Sequence, residues 1–260
     1  MLVNHSIVEQ LNVYTYGTRE AMGAAAAEDA ARRISRIIEI NGAANIVFAA
    51  APSQNDLFWA LLTHDIDWTK VRAFQQDEYI GISAEEPAGF GNFLKDALYD
   101  KVTMKDIYYL YTETSKVEEK IEEYTGLLKR YPIDLIFLGV GENGHLAFND
   151  PPVADFDDPK MLKIVELDQV CRQQQVNDGC FSSLESVPTH ALTLTLSFIR
   201  SVPEAICVVP TDRKAKAIAD ALRGPITTDC PASMLRKLPG AALYLDRDSA
   251  TLAFPESTNE

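Results

Sequence analysis

Two acidic residues stand side by side at Asp77 and Glu78. The apolar segment 71–75 before them predicts a short buried strand, so the acids fall at a strand end. Because successive side chains of a strand point in different directions, one acid can face a cleft while the other anchors a loop. The pair alone is a weak sign of chemistry, since acids in loops are usually only solvated.

The strongest signal for chemistry lies in residues 138–152, which read Leu-Gly-Val-Gly-Glu-Asn-Gly-His-Leu-Ala-Phe-Asn-Asp-Pro-Pro. Glycines after a buried strand permit a tight turn and a close approach of backbone to ligand. His145 emerges from that turn, where it could transfer protons near neutral pH or merely satisfy loop carbonyls. The glycine spacing fits neither the dinucleotide fingerprint nor a P-loop, so nucleotide binding is not expected.

Two further strand ends carry candidate contacts for an anion. Ser53, in Ala51-Pro52-Ser53-Gln54, is expected to cap the next helix, whose first N–H groups could face an anion. Its alternative role is a plain helix cap. Lys214 begins a predicted helix after another strand and is a candidate second phosphate contact, although most such lysines are only solvated.

Strands and helices alternate along the chain. Predicted strands cover residues 45–51, 71–75, 133–138, 191–196, 205–209 and 242–245. Predicted helices cover residues 18–41, 90–99, 117–131 and 213–223, with another opening at Pro52, and residues 150–159 are expected to form a loop or lid. This order predicts an α/β fold over residues 1–260: one domain with an open, mostly parallel sheet and helices on both faces, a Rossmann-like three-layer arrangement. Ligands then belong at the carboxyl ends of the strands.

The bulk composition excludes several partners. The net charge is −14, with 24 Lys and Arg against 38 Asp and Glu, which argues against nucleic acid and anionic membranes. The first residues do not resemble a signal peptide and no apolar run is long enough to span a membrane, so a cytoplasmic protein is expected. The four cysteines are widely spaced and are expected to be buried thiols, without a metal site: Cys171, Cys180, Cys207 and Cys230.

In their order, these segments resemble the glucosamine-6-phosphate deaminase/isomerase family, which is related to the 6-phosphogluconolactonases. The resemblance extends over nearly the whole chain. It is most specific in Asp77-Glu78-Tyr79 with Gly81, and in residues 141–149 and 187–193. The lactonases resemble this pattern with Arg at the position of Tyr79 and a different sequence after the histidine. The run His-Leu-Ala-Phe-Asn favours the deaminases.

The resemblance implies that Asp77 moves a proton between C2 and C1 of an opened sugar and that His145 assists ring opening, with Asn143 and Asp150 at the positions that support His145. It implies no metal and no cofactor. The implied contacts with the phosphorylated sugar are Ala51, Ser53, Gln54, Gly141, Arg172 and Lys214. The implied reaction converts glucosamine 6-phosphate, or a close hexosamine phosphate, to fructose 6-phosphate and ammonia. The alternatives are a sugar-phosphate sensor or scaffold with weak turnover, and a 6-phosphogluconolactonase-like hydrolase; a homo-oligomer stays open.

Three departures from the family pattern limit this transfer of roles. The family usually has Asp where Asn143 stands and Glu where Asp150 stands; Asn143 brings no charge and the shorter Asp150 is expected to fall short of His145, although Glu142 could compensate. Slow turnover and an at least about tenfold gain from Asn143→Asp are therefore expected. A glycine-rich phosphate turn is replaced by one with Pro52, which has no N–H. The phosphate-binding arginine is assigned to Arg172, but the alignment could equally place Asn177 there.

Overall fold

The computed structural model describes residues 1–167, 169–177 and 179–254. Its α-helices are α1 (Arg19–Asn41), α2 (Asn55–Leu61), α3 (Phe90–Ala97), α4 (Val117–Arg130), α5 (Gln169–Asn177), α6 (Leu196–Ser201), α7 (Ala215–Arg223) and α8 (Arg247–Ala250). Its strands are β1 (Leu2–Val8), β2 (Leu11–Tyr16), β3 (Ala44–Phe48), β4 (Val71–Gln75), β5 (Asp77–Tyr79), β6 (Asp106–Tyr108), β7 (Leu135–Leu138), β8 (Leu162–Glu166), β9 (His190–Leu194), β10 (Glu204–Val209) and β11 (Ala241–Asp246).

Within the described residues, eight strands form the main sheet, in the order β1-β2-β11-β10-β7-β3-β4-β6. In this spatial order, every neighbouring pair between β2 and the edge strand β6 is parallel, and β1 pairs antiparallel with β2 at the other edge. The predicted open, mostly parallel sheet is confirmed. After β3 the chain first builds toward β6 and then returns with β7 on the other side of β3. The strand order therefore reverses between β3 and β7, where sheets of this kind bind ligands.

Both faces of the main sheet are buried, which explains the continuous apolar runs of its central strands. In β3, Ile46 and Phe48 pack in the cluster that contains α1 and α2, whereas Val47 faces the opposite cluster with α4 and α7. The same alternation in β7 sends Phe137 to the first cluster and Ile136 to the second. The predicted helices on both faces follow from this two-sided burial.

Helix α1 shows how local signals set an element's bounds. Thr18 accepts a hydrogen bond from the N–H of Ala21 at the start, and a cap of this kind stabilises a helix by about 1 kcal/mol. At the other end Gly42 adopts φ of 77°, and its N–H donates to the carbonyl of Ile38. Glycine takes this left-handed conformation without steric cost, so the helix ends where the sequence predicted.

A second sheet corrects one sequence-based expectation. The strand expected over residues 191–196 is β9, and it pairs antiparallel with β5 and β8 in a separate three-stranded sheet, not with the main one. It also ends earlier, because the hydroxyl of Thr195 accepts from the N–H of Phe198 and caps α6. The small sheet adjoins the main one through β5, which begins two residues after β4 ends.

The β1–β2 hairpin was not predicted from the sequence, although the alternating burial of Leu11, Val13 and Thr15 is typical of a half-buried strand. Residues 150–159 form a loop, and Asp158 ties it to the domain through an ion pair with Lys163 at 3.1 Å. No helix in the described part of the chain is long and apolar enough to cross a membrane.

Candidate active site

A cavity of about 650 Å³ opens at the carboxyl ends of the parallel strands. The segments after β3, β4, β7 and β10 line it, as does Arg19 at the start of α1. These are the strand ends at which the sequence analysis expected ligand-binding residues. The cavity brings together Ala51, Ser53, Asp77, Gly141, His145 and Lys214 from the expected set.

The glycines of the turn after β7 allow His145 to lie where it does. A Cβ atom on Gly141 would stand 2.2 Å from Cε1 of His145, so only glycine lets the imidazole lie against this backbone. Gly144 has φ of 84°, and a Cβ there would stand 2.7 Å from the sulfur of Cys230. The N–H of Gly141 also donates to the carbonyl of His145 at 3.0 Å. The turn therefore presents the imidazole to the cavity in one defined position.

His145 is held by both side chains that the resemblance assigned to its support. Its Nδ1 lies 2.8 Å from Oδ1 of Asn143 and 3.0 Å from Oδ1 of Asp150. Asn143 Nδ2 in turn donates to the same Asp150 oxygen at 2.8 Å. The expectation that Asp150 is too short to reach His145 is wrong, because the turn brings the two residues into direct contact. One carboxylate and one amide thus orient the ring and leave Nε2 as the nitrogen for chemistry.

The environment of Asp150 favours its charged form. Burial raises the pKa of this carboxyl, but the charge of His145 and hydrogen bonds from His145, Asn143 and Cys171 together outweigh burial and hold the pKa below its usual range. Asp150 is 5% exposed, so its charge acts on His145 with little screening by water. The arrangement provides a fixed negative charge behind the imidazole.

The two adjacent acids divide their roles as the strand geometry predicted. Glu78 is fully buried and accepts from the side chain of Gln75 and from the backbone N–H groups of Tyr79, Phe90 and Gly91. It therefore anchors the start of α3, although burial still raises its pKa. Asp77 instead lines the cavity.

Asp77 has the opposite electrostatic environment to Asp150. Its burial, followed by repulsion from the carboxyl of Glu78, raises the pKa of Asp77 well above its usual range. A carboxylate with a raised pKa is a stronger base once it loses its proton, and it returns that proton less readily to water. Asp77 is therefore suited to carry a proton within the cavity.

Positive charge collects elsewhere in the same cavity. Arg19, Arg213 and Lys214 line it together with Ser53, which follows β3. Arg19 and Arg213 were not singled out from the sequence, because an arginine at a helix start reads as ordinary surface until the topology brings α1 next to β3. The chain of net charge −14 thus provides the local cationic site that a phosphate needs.

Three expectations for the anion site are corrected. The Ser53 hydroxyl caps no helix and instead accepts from Nε2 of Gln54 at 3.2 Å. Gln54 is fully buried beside the cavity lining, donates to the carbonyl of Leu138, and has its own N–H bound to the carbonyl of Ala51. It connects the segment after β3 with the end of β7 and is not part of the cavity lining.

The placement of Arg172 is the third correction. Its guanidinium donates to the carbonyls of Leu184 and Val187, at 2.6 and 3.0 Å, and Arg172 is not part of the cavity lining. Asn177, the alternative from the sequence, does line the cavity, as does Gln175 of the same helix. Helix α5 therefore contributes amides where the resemblance implied an arginine.

Thr211 is a strained residue at the cationic side of the cavity. It adopts φ of 81° and ψ of 151°, a backbone region that is essentially restricted to glycine. Both carboxylate oxygens of Asp246 accept from its N–H, at 3.2 and 3.0 Å. Asp246 is buried and also caps α8 through Ser249. The buried carboxylate thereby holds the backbone that leads directly into Arg213 and Lys214.

The cysteines were expected to be buried thiols that bind no metal. Cys171, Cys207 and Cys230 are buried as expected, but Cys180 is half-buried and lines the cavity. No group of three or more metal-ligating side chains occurs among the residues the structure describes.

The fold and the cavity together define an α/β protein whose cavity holds a buried acid of raised pKa, an oriented histidine and a cationic side. A family model described as glucosamine-6-phosphate isomerases/6-phosphogluconolactonase matches residues 17–243. A glucosamine-6-phosphate deaminase of Exiguobacterium sibiricum is 33% identical over 192 residues, covering 74% of each chain. One from Listeria innocua is 31% identical over 204 residues, covering 78% of this chain and 85% of the relative. The chain belongs to the glucosamine-6-phosphate isomerase/6-phosphogluconolactonase family.

Solved structures show the same fold on both sides of this family. A monomeric glucosamine-6-phosphate deaminase superposes with a TM-score of 0.81 at 24% identity, over 92% of this chain and 99% of the other. The 6-phosphogluconolactonase of Trypanosoma brucei superposes with a TM-score of 0.76 at 14% identity, over 95% and 98% of the two chains. At these identities the likeness shows the fold alone.

Proposed function

We propose that this protein is an enzyme that isomerises and deaminates glucosamine 6-phosphate, or a close hexosamine phosphate, to fructose 6-phosphate and ammonia. The observation that carries the proposal is the pairing, in one cavity, of a buried acid of raised pKa, Asp77, with the oriented His145–Asp150 pair. The curated relatives named as glucosamine-6-phosphate deaminases support the same activity.

Ring opening is the first chemical step. The C1 hydroxyl of the sugar must lose a proton and the ring oxygen must gain one as the bond between C1 and the ring oxygen breaks. His145 can relay that proton through Nε2, because Nδ1 faces Asn143 and Asp150. The charge of Asp150 stabilises the imidazolium that forms during the relay.

Asp77 carries the second step. In the open aldose the C2 proton is acidic, and Asp77 removes it while the C1 carbonyl becomes an enol. Return of the proton to C1 gives an iminium at C2, and loss of one N–H proton, which balances the proton gained by the C1 oxygen in the enol, leaves an imine. Water adds to this imine and ammonia leaves, which yields the ketose. The overall reaction consumes one water, and Asp77 returns one proton to the substrate for each one that it removes.

The Arg19, Arg213 and Lys214 side of the cavity is suited to the phosphate of the sugar. Charge-assisted hydrogen bonds from such groups are stronger than neutral ones, and they would fix the sugar with C1 and C2 toward Asp77. Binding energy from the distant phosphate thereby supports the proton transfer.

The test is release of ammonia and fructose 6-phosphate from a panel of hexosamine phosphates. The proposal predicts both products in equal amounts from at least one member, and their loss in Asp77→Asn. A 6-phosphogluconolactonase would instead release acid from 6-phosphogluconolactone and leave every hexosamine phosphate unchanged. A sensor or scaffold would bind the sugar phosphate tightly with no product in either assay.

A further inference from the structure

Arg19 lies beside the turn that follows β3. It is the first residue of α1 and is far from that turn in sequence. It lines the cavity together with Ser53 and Lys214, which the resemblance associates with phosphate. Its side chain is 35% exposed, so a ligand in the cavity can reach this residue. The position makes Arg19 available to a ligand.

The packing of α1 on α2 determines where this guanidinium lies. Gly23, one helical turn after Arg19, lies so close to α2 that a Cβ would stand 2.6 Å from Cβ of Asp56. The absence of a side chain at Gly23 therefore lets Asp56 approach α1, where its carboxylate accepts from Nε of Arg19. Nη2 of Arg19 also donates to the carbonyl of Pro52 at 2.7 Å. The guanidinium is held from two sides before any ligand arrives.

The turn that Arg19 contacts is a poor source of N–H groups. Pro52 has none, the N–H of Gln54 donates to the carbonyl of Ala51, and that of Asn55 donates to the carbonyl of Pro52. A glycine-rich turn would hold an anion through its backbone, but most of these donors are missing or engaged. A guanidinium has five N–H donors in a planar fork that matches phosphate oxygens. The Asp56 and Pro52 contacts use two of them.

We propose that Arg19 binds the phosphate of the substrate directly and replaces the backbone N–H donors that the Pro52 turn lacks. This inference rests on the proposed function only in that the ligand is a sugar phosphate. Asp56 is then a positioning residue, which acts on the phosphate through Arg19. The alternative is that Arg19 only ties α1 to the Pro52 turn.

Equilibrium binding separates the two roles without relying on turnover. Fructose 6-phosphate and inorganic phosphate are the probes, measured by calorimetry with Arg19→Gln, Arg19→Lys and Asp56→Asn. Arg32→Gln is the matched control, because Arg32 lies on the same helix with a side chain that is 70% exposed and paired with Asp29. Thermal melting checks that each variant is folded.

Direct binding predicts a graded result. Arg19→Gln should weaken fructose 6-phosphate by about 10- to 100-fold and inorganic phosphate in parallel, as expected for loss of a charge-assisted contact. Arg19→Lys, which keeps the charge but loses the fork, and Asp56→Asn, which leaves the guanidinium but loosens it, should each cost less than Arg19→Gln. Arg32→Gln should bind as wild type.

Equal losses in Arg19→Gln and Asp56→Asn would overturn the inference, because both changes break the same tie between α1 and the turn. Unchanged phosphate binding in Arg19→Gln, or a wild type that binds neither probe, would also overturn it. If the graded result appears but no hexosamine phosphate releases ammonia, the proposed function fails while the role of Arg19 stands.

Discussion

Asn143→Asp is the substitution on which the sequence and the structure disagree most sharply. The sequence suggested that Asn143 is a defect and that a carboxylate there would raise kcat/KM. The structure shows Asn143 Nδ2 donating to Asp150 Oδ1 at 2.8 Å, beside His145 Nδ1. We therefore expect the opposite result: the variant should be slower than wild type.

The magnitude follows from these contacts. Loss of the Asn143 donor removes a hydrogen bond to a charged group, which is worth about 1.5–3 kcal/mol. Two carboxylates in contact also repel each other by about 4 kcal/mol at a separation of about 4 Å and an effective dielectric constant of about 20. Even a third of the combined cost, expressed in the transition state, lowers kcat/KM by at least about tenfold.

The pH dependence gives the sharper test. Repulsion raises the pKa of one acid in such a pair, so at low pH a shared proton bridges the two carboxyls as the Asn143 amide does now. At higher pH the proton leaves and the orientation of His145 is lost. The ratio of kcat/KM between variant and wild type should therefore fall as pH rises from about 6 to about 9. Asn143→Asp combined with Asp150→Glu, which restores the pattern of the resembling family, should recover part of the loss. Equal or higher activity of the single variant across this range would refute the reasoning.

Three other substitutions test the rest of the site. Asp77→Asn should abolish exchange of the substrate C2 proton with deuterated solvent. It should also stabilise the fold at pH values above the ordinary Asp pKa, because folding raises the pKa of Asp77 and wild type therefore loses stability as pH rises toward that raised pKa. A pH series of melting temperatures checks this sign. Retained exchange would remove Asp77 from the mechanism. Lys214→Ala should weaken a phosphorylated sugar by about 1.5–3 kcal/mol and its unphosphorylated form much less, measured by calorimetry, and equal losses would place Lys214 outside the phosphate site. Thr211→Gly should raise the free energy of unfolding by about 1 kcal/mol in urea titrations, since glycine relieves strain of about 1–3 kcal/mol at a small entropic cost, whereas a fall would show that the threonine conformation is not strained.

The parts of the fold that the sequence predicted are those with strong local signals. Helix α1 carries its own cap at Thr18 and its own stop at Gly42, and the central strands are apolar because both of their faces are buried. The small sheet was not predicted as a separate unit, since β9 is as apolar as the strands of the main sheet and only its pairing partners distinguish it. Pairing depends on tertiary contacts, which a local pattern does not contain.

The candidate site shows the same division. Asp77 and His145 could be found because each stands at a strand end beside a specific motif. Arg19 could not, since its approach to the Pro52 turn depends on the close packing of α1 and α2 at Gly23. The contact between Asp150 and His145 was misjudged because side-chain length was compared without the path of the turn, which brings the shorter acid into range.

The two aspartates of the site have environments that push their pKa values apart. Burial and the adjacent Glu78 carboxyl raise the pKa of Asp77. Burial also acts to raise the pKa of Asp150, but the charge of His145 and the hydrogen bonds that Asp150 accepts outweigh it and lower that pKa. A group that must accept and return a proton works best with a pKa near the working pH, and a group that must stay charged works best far below it. The environments of these two residues of the same type therefore suit them to different purposes, and the difference arises from their neighbours. This separation also explains why Asn143 suits the site: an amide supports Asp150 without adding a second charge that would raise the pKa of Asp150.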